Sequence, residues 1–154
     1  MPAGPHQSQP PIVVQSAGLT ATDGAPANAH AIQVAADWDI DLTAHHARFL
    51  HGHMTWQADL IFTMTQGQAT TICKRYDVDS HKVIVLGSFA QAAPDAIDAQ
   101  VAPLLQRSGL SDGFGDSAEI LDPFGGSIEA YQACAAQIRR AVLGVIAALL
   151  NGRL

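Results

Sequence analysis

Positive charge is scarce in this 154-residue chain: 8 Lys and Arg stand against 14 Asp and Glu, a formal net charge of -6. Nucleic-acid backbones are held by basic stripes that displace condensed counterions. None can be drawn here, so DNA and RNA are excluded as partners. Charge of either sign is low, 14% of residues against 48% hydrophobic. That excludes a coiled coil or a solvated disordered chain, both of which are charge-rich. Only two cysteines occur, Cys73 and Cys134, far apart and without companions. Neither a disulfide framework nor a zinc cluster follows, and a reducing cytoplasm is the expected compartment. Residues 1–11 carry no Lys, no Arg and no apolar run, so no secretory leader is expected. The apolar stretch 141–150, interrupted by Gly144, is shorter than the ~20 residues that span a bilayer. A soluble protein of one domain, without a membrane partner, is the expectation.

What is present alternates between two periodicities. Four of the eight prolines fall in the first eleven residues (Pro2, Pro5, Pro10, Pro11), which predicts a flexible tail over 1–11. Ile12, Val13 and Val14 form a β-branched run closed by the Ser16-Ala17-Gly18 turn, and read as a buried parallel strand. Residues 27–37 read as a helix with Pro26 just ahead of it. A strand over 59–64 is followed by a helix over 66–76, with Ala69, Ile72, Cys73 and Tyr76 on one face, and then by a strand over 82–86. Residues 91–119 combine a helix around 96–106 with a Ser/Asp/Gly-rich loop and read as a surface insertion. A long helix over 127–150, capped by Ser127 with Glu129 in its first turn, closes the domain at 12–154. Strand and helix in alternation imply an α/β fold, a small parallel sheet flanked by helices on both faces. Ligands bind such sheets beyond the carboxyl ends of the strands, here residues 16–23, 64–68 and from Gly87 onward.

Several of these segments, taken in order, carry a resemblance. They are Ser16-Ala17-Gly18 after a strand, Gly24-Ala25-Pro26-Ala27 opening a helix, and Ile40-Asp41-Leu42-Thr43-Ala44-His45 with Arg48. They continue with Ala58-Asp59-Leu60-Ile61 leading to Met64-Thr65, and Asp122-Pro123-Phe124-Gly125-Gly126 before a helix containing Glu129 and Tyr131. From about Val13 to the C-terminal helix the chain resembles the low-molecular-weight protein-tyrosine-phosphatases. The family opens with a strand, a C-x5-R phosphate loop and a helix, which nothing before Ile12 matches. The sequence therefore reads as this fold truncated at its N-terminus, with longer chain than usual at 91–119.

The resemblance implies phosphomonoester hydrolysis through a cysteinyl-phosphate, on phosphotyrosine proteins or small aryl phosphates, with no cofactor and no metal. Backbone N–H groups at a helix start cradle the phosphate and lower the thiol pKa, and a loop arginine grips two oxygens. A carboxylic acid protonates the leaving oxygen. By resemblance Asp122 is that acid, Ser16, Thr43, His45 and Arg48 support the site, and the nucleophile is absent. Two classes follow: a phosphatase whose nucleophile loop lies outside this sequence, or a non-catalytic pseudo-phosphatase or binding module. A missing central strand would also leave unpaired edges and permit self-association.

Other candidates have plainer readings. Cys134 and Arg140 match C-x5-R, but inside one helix six residues at about 100° each set the two side chains roughly 120° apart. Helical N–H groups are already bonded, so no phosphate cradle forms there. Cys134 and Cys73 read as small core residues. His45, His46, His51 and His53 invite a metal, yet their spacing matches no zinc motif. Trp38 and Trp56 read as packing residues near segment ends. Taken alone, Asp122 before a proline and two glycines is a turn residue, and Thr43 a helix cap.

Overall fold

The computed structural model describes residues 12–92, 118–150 and Gly152. The expected tail at 1–11, the expected helix at 96–106 and most of the expected insertion lie outside the described residues.

Helix α1, Ala29–Ala36, starts at Asn28, whose side-chain oxygen accepts the His30 amide. Pro26 therefore stays outside the helix and instead bridges antiparallel to His46. A short helix not anticipated from the sequence, α2 (Gly52–Gln57), leads into strand β1, Ile61–Thr63. Helix α3, Gln66–Tyr76, has the expected bounds, and local chemistry explains them. Thr65 and Gln68 form a reciprocal capping box, and Asp77 ends the helix in the left-handed region at φ 52°. A single 3-10 turn, Ser80–Lys82, precedes strand β2, Val83–Val85. Then come α4, Ser88–Ala92, and the long α5, Ile128–Leu150. The Ser127 hydroxyl bonds the Glu129 carboxylate at the start of α5 and holds that carboxyl below its usual pKa, with Glu129's own backbone contributing next.

Strands β1 and β2 are parallel, with Ile61 opposite Val83 and Thr63 opposite Val85. The α/β class and the parallel sense are thus as expected. Ile12, Val13 and Val14 are not a buried strand: they are 72%, 74% and 86% exposed and pair with nothing among the described residues. β-Branched residues fit a pleated surface once a neighbour supplies one, and propensity alone does not bury them.

Two apolar clusters hold the elements together. Leu50, Ile72 and Val78, with Met54, Ile61 and Val83 against them, seat α3 beside the sheet. Leu86, Ala90, Ile120 and Ala141 form the second cluster, against which Met64, Cys134, Ile138 and Val145 pack. Helix α5 is 23 residues long and contains an 18-residue window of mean hydropathy 1.6, so by length and composition it could cross a membrane, which the shorter run 141–150 did not suggest. Only 17% of that window is buried; the buried residues of α5 are Tyr131, Ala141, Gly144 and Ala147, and it packs on α4 and α1. Trp38 lies under the Arg139 guanidinium, 5.0 Å from its ring centroid. Trp56, by contrast, is 69% exposed, and its indole N–H donates to the Tyr76 carbonyl at 3.3 Å.

Candidate functional site

Beyond the carboxyl end of β1 the chain turns through Met64 and Thr65 into α3, and the segment ahead of α5 passes alongside. The Ile120 amide donates to the Met64 carbonyl at 2.9 Å, and the buried Ile120 side chain anchors that segment in the core. Leu121 then points outward, and Asp122 opens a tight turn. Its Oδ1 accepts the Phe124 amide at 2.9 Å, the Gly126 amide donates to the Pro123 carbonyl at 2.8 Å, and Gly125 takes φ 78°. That positive φ is one that glycine adopts without strain. The turn reading of Asp122 is therefore correct, and it coexists with a place at a cleft.

The cleft measures about 240 Å³, and Asp122 and Pro123 line it together with Met64, Thr65, Gln68 and Cys134. Cys134 is thus more than a core residue: it packs against the second apolar cluster on one side and faces the cleft on the other. Burial pushes its thiol pKa up, and the neighbouring Asp122 carboxylate adds to the rise. A nucleophilic cysteine needs the opposite shift. Cys134 and Arg140 both lie within the continuous α5, as their helical spacing implied.

The four supporting candidates sit in a second region, and none lines the Asp122 cleft. Arg48 reaches Ser16, its Nη2 and Nε donating to the Ser16 carbonyl at 3.2 and 3.4 Å. The two segments are knitted further by the Gly18 amide to the Arg48 carbonyl (2.9 Å) and the Leu50 amide to the Gly18 carbonyl (3.0 Å). Thr43 caps no helix. Its hydroxyl and amide donate to Asp41 Oδ1 at 2.6 and 2.8 Å, and these bonds, the hydroxyl's first, hold the Asp41 carboxyl below its usual range. The His45 amide closes the same turn on the Leu42 carbonyl at 3.1 Å. Among the other histidines, His46 Nδ1 lies 3.1 Å from the Gly24 carbonyl, and His51 stacks on His53 with centroids 5.9 Å apart.

Three residues that organise these loops were not singled out from the sequence. Asp23 Oδ1 accepts the Phe49 amide at 2.6 Å, and Glu119 Oε1 accepts the Gln66 amide at 2.8 Å. Gln68 Oε1 accepts the Met64 and Thr65 amides at 2.9 and 3.3 Å. Only the last had a legible signal, Thr65-x-x-Gln68 ahead of a helix.

Comparison with known proteins places these features in a family. A family model for low molecular weight phosphotyrosine protein phosphatase matches residues 6–103. A probable low molecular weight protein-tyrosine-phosphatase, EpsP, of Ralstonia nicotianae is 38% identical over 86 residues, 56% of this chain and 59% of that protein. The EpsP of Ralstonia solanacearum is 36% identical over the same shares, so the chain spans 59% of the length of these two relatives. A protein-arginine-phosphatase of Geobacillus stearothermophilus is 27% identical over 83% of this chain and 70% of that protein. Among solved structures, the YwlE arginine phosphatase from Geobacillus stearothermophilus superposes with a TM-score of 0.62 at 27% identity, covering 90% of this chain and 73% of its own. A low molecular weight protein tyrosine phosphatase from T. tengcongensis shares the fold with a TM-score of 0.64 at 22% identity, over 86% and 74% of the two chains. With a family model matching residues 6–103 and the parallel sheet and helices of the solved relatives shared, the chain belongs to the low molecular weight phosphotyrosine protein phosphatase family.

Proposed function

We propose that this chain supplies the acid side of a phosphomonoester hydrolase, with Asp122 as the general acid and phosphotyrosine proteins or small aryl phosphates as substrates. The observation that carries this is the placement of Asp122 at a cleft beyond the carboxyl end of β1, where α/β sheets bind ligands. In the reaction a thiolate attacks phosphorus, forming the S–P bond as the P–O bond to the leaving group breaks, and Asp122 gives its proton to the departing oxygen. The resulting carboxylate then takes a proton from the water that cleaves S–P, releasing phosphate and the thiolate. Ser16, Thr43, His45 and Arg48 are proposed to brace the phosphate-loop side of the site, because Arg48 already ties residue 16 in place.

Neither cysteine of this chain is proposed as the nucleophile. Cys73 lies in α3 and Cys134 in α5, where N–H groups are engaged along the helix, and the raised Cys134 pKa keeps its thiol protonated. Residues 1–154 alone should therefore turn over aryl phosphates at background rate, in a cytoplasmic setting and with a tendency to self-associate. The test is to assay the chain alone and fused behind a strand, C-x5-R loop and helix, against p-nitrophenyl phosphate, phosphotyrosine and phosphoarginine peptides. The fusion should gain activity, and Asp122→Asn in it should slow poor leaving groups far more than good ones, because a good leaving group departs without a proton. Turnover by the unfused chain that is abolished by Asp122→Asn would refute the assignment of the cysteines. Fusion activity indifferent to Asp122→Asn would refute the acid. The preference between phosphotyrosine and phosphoarginine decides between the two substrate classes named among the relatives.

A further inference from the structure

We propose that Glu119 is a positioning residue: its carboxylate clasps the start of α3 and thereby sets where the Asp122 turn stands over the cleft. This rests on the reading of Asp122 as general acid. The first amides of a helix have no partner within it and must find one elsewhere. In α3 the Gln68 amide is taken by Thr65 Oγ1 at 3.2 Å, and the Gln66 amide by Glu119 Oε1 at 2.8 Å, from 53 residues away in sequence. A carboxylate at the positive end of a helix dipole, accepting a backbone N–H, makes a charge-assisted bond.

The neighbours of Glu119 are held too. Ile120 continues the bonding with its amide on the Met64 carbonyl and its side chain 3% exposed in the core. Ala118 passes so close to Gly87 that a Cβ there would overlap the Ala118 carbonyl. Glu119 and Ile120 are thus pinned to the start of α3 and to Met64, Ala118 runs hard against Gly87, and the chain becomes largely exposed at Leu121, 70%. Asp122 is two residues past the last pin, and two residues of chain reach at most about 7 Å. Releasing the clasp leaves the Ile120 bond to Met64 and the buried Ile120 side chain as the hold nearest the acid turn, so that turn loosens over the cleft without coming free, while the Phe124 and Gly126 bonds keep its internal shape.

Cys134 reports on this directly, because it lines the cleft with Asp122 and Pro123. The experiment is iodoacetamide labelling of the full chain, with Cys134 and Cys73 quantified separately by mass spectrometry and Cys73 as the internal reference. Glu119→Ala should raise the Cys134 rate several-fold relative to Cys73, whereas Glu119→Gln, which keeps an acceptor oxygen, should stay near wild type. Gln66→Pro removes the same bond from the donor side. Gln66 is the first helical residue and Thr65 is extended (φ -135°, ψ 158°), so proline is accommodated there. It should accelerate Cys134 as Glu119→Ala does. An unchanged Cys134 to Cys73 ratio in Gln66→Pro overturns the proposal, including the case in which Glu119→Ala fails to fold. The labelling needs no catalysis, so its failure leaves the acid assignment standing, and loss of that assignment leaves the clasp measurable.

Discussion

Gly87→Ala offers a quantitative check on the packing that carries the segment leading to Asp122. Gly87 does not need a positive φ, so alanine meets no backbone strain there, and on chain entropy alone it would stabilise by ~0.4–1 kcal/mol. The added methyl, however, would sit 2.9 Å from the Ala118 carbonyl carbon and 3.5 Å from its Cα, and would overlap its oxygen. These are main-chain atoms and cannot rotate aside. Overpacking of this kind costs typically 1–3 kcal/mol, and a shift of residue 118 also strains the Glu119 bond to α3. The steric cost exceeds the entropic gain, so a net destabilisation of about 1–2 kcal/mol is expected. With a urea m-value of ~2 kcal/mol/M, the middle of the usual range, the unfolding midpoint should fall by roughly 0.5–1 M at unchanged m. Cys134 labelling should accelerate in the same variant. A midpoint equal to or above wild type would show that residue 118 does not press on Gly87, and the account of the pinned segment would fail with it.

Three further outcomes are expected. Thr65→Ala removes one half of the α3 capping box and should cost about 1 kcal/mol, read as a lower urea midpoint. The raised Cys134 pKa implies a protonated thiol in the native state, so its effect on stability is neutral well below the unfolded thiol pKa. As pH climbs past that value the unfolded chain ionises first and stability falls until the native thiol ionises too; the slope should be shallower in Cys134→Ala when both proteins are denatured from pH 7 to 10. Finally, the Val13 and Val14 amides should exchange with deuterium far faster than those of β1, since both side chains are exposed and the run has no ladder among the described residues; equal protection would show that a partner pairs with it.

Much of the fold was legible because its signals are local. The Thr65-x-x-Gln68 box and the left-handed Asp77 delimit α3 within one turn at either end, so its bounds follow from nearby residues alone. Val83, Ile84 and Val85 declare a strand by β-branching, and Ser127 and Glu129 declare the start of α5. The turn chemistry of Asp122 was equally plain. Its place beside a cleft was not, because the cleft's walls come from residues 64, 65, 68, 120–123, 134 and 138, gathered by burial of Ile120 and Ala141 rather than by any run of sequence. The same limit explains Ile12, Val13 and Val14: the sequence specifies their preference for a strand, and only a hydrogen-bonded neighbour can make them one. It explains Glu119 as well. Capping residues close by are chosen by backbone geometry within four positions, whereas an acceptor 53 residues away becomes a cap only after both segments have packed against the same core.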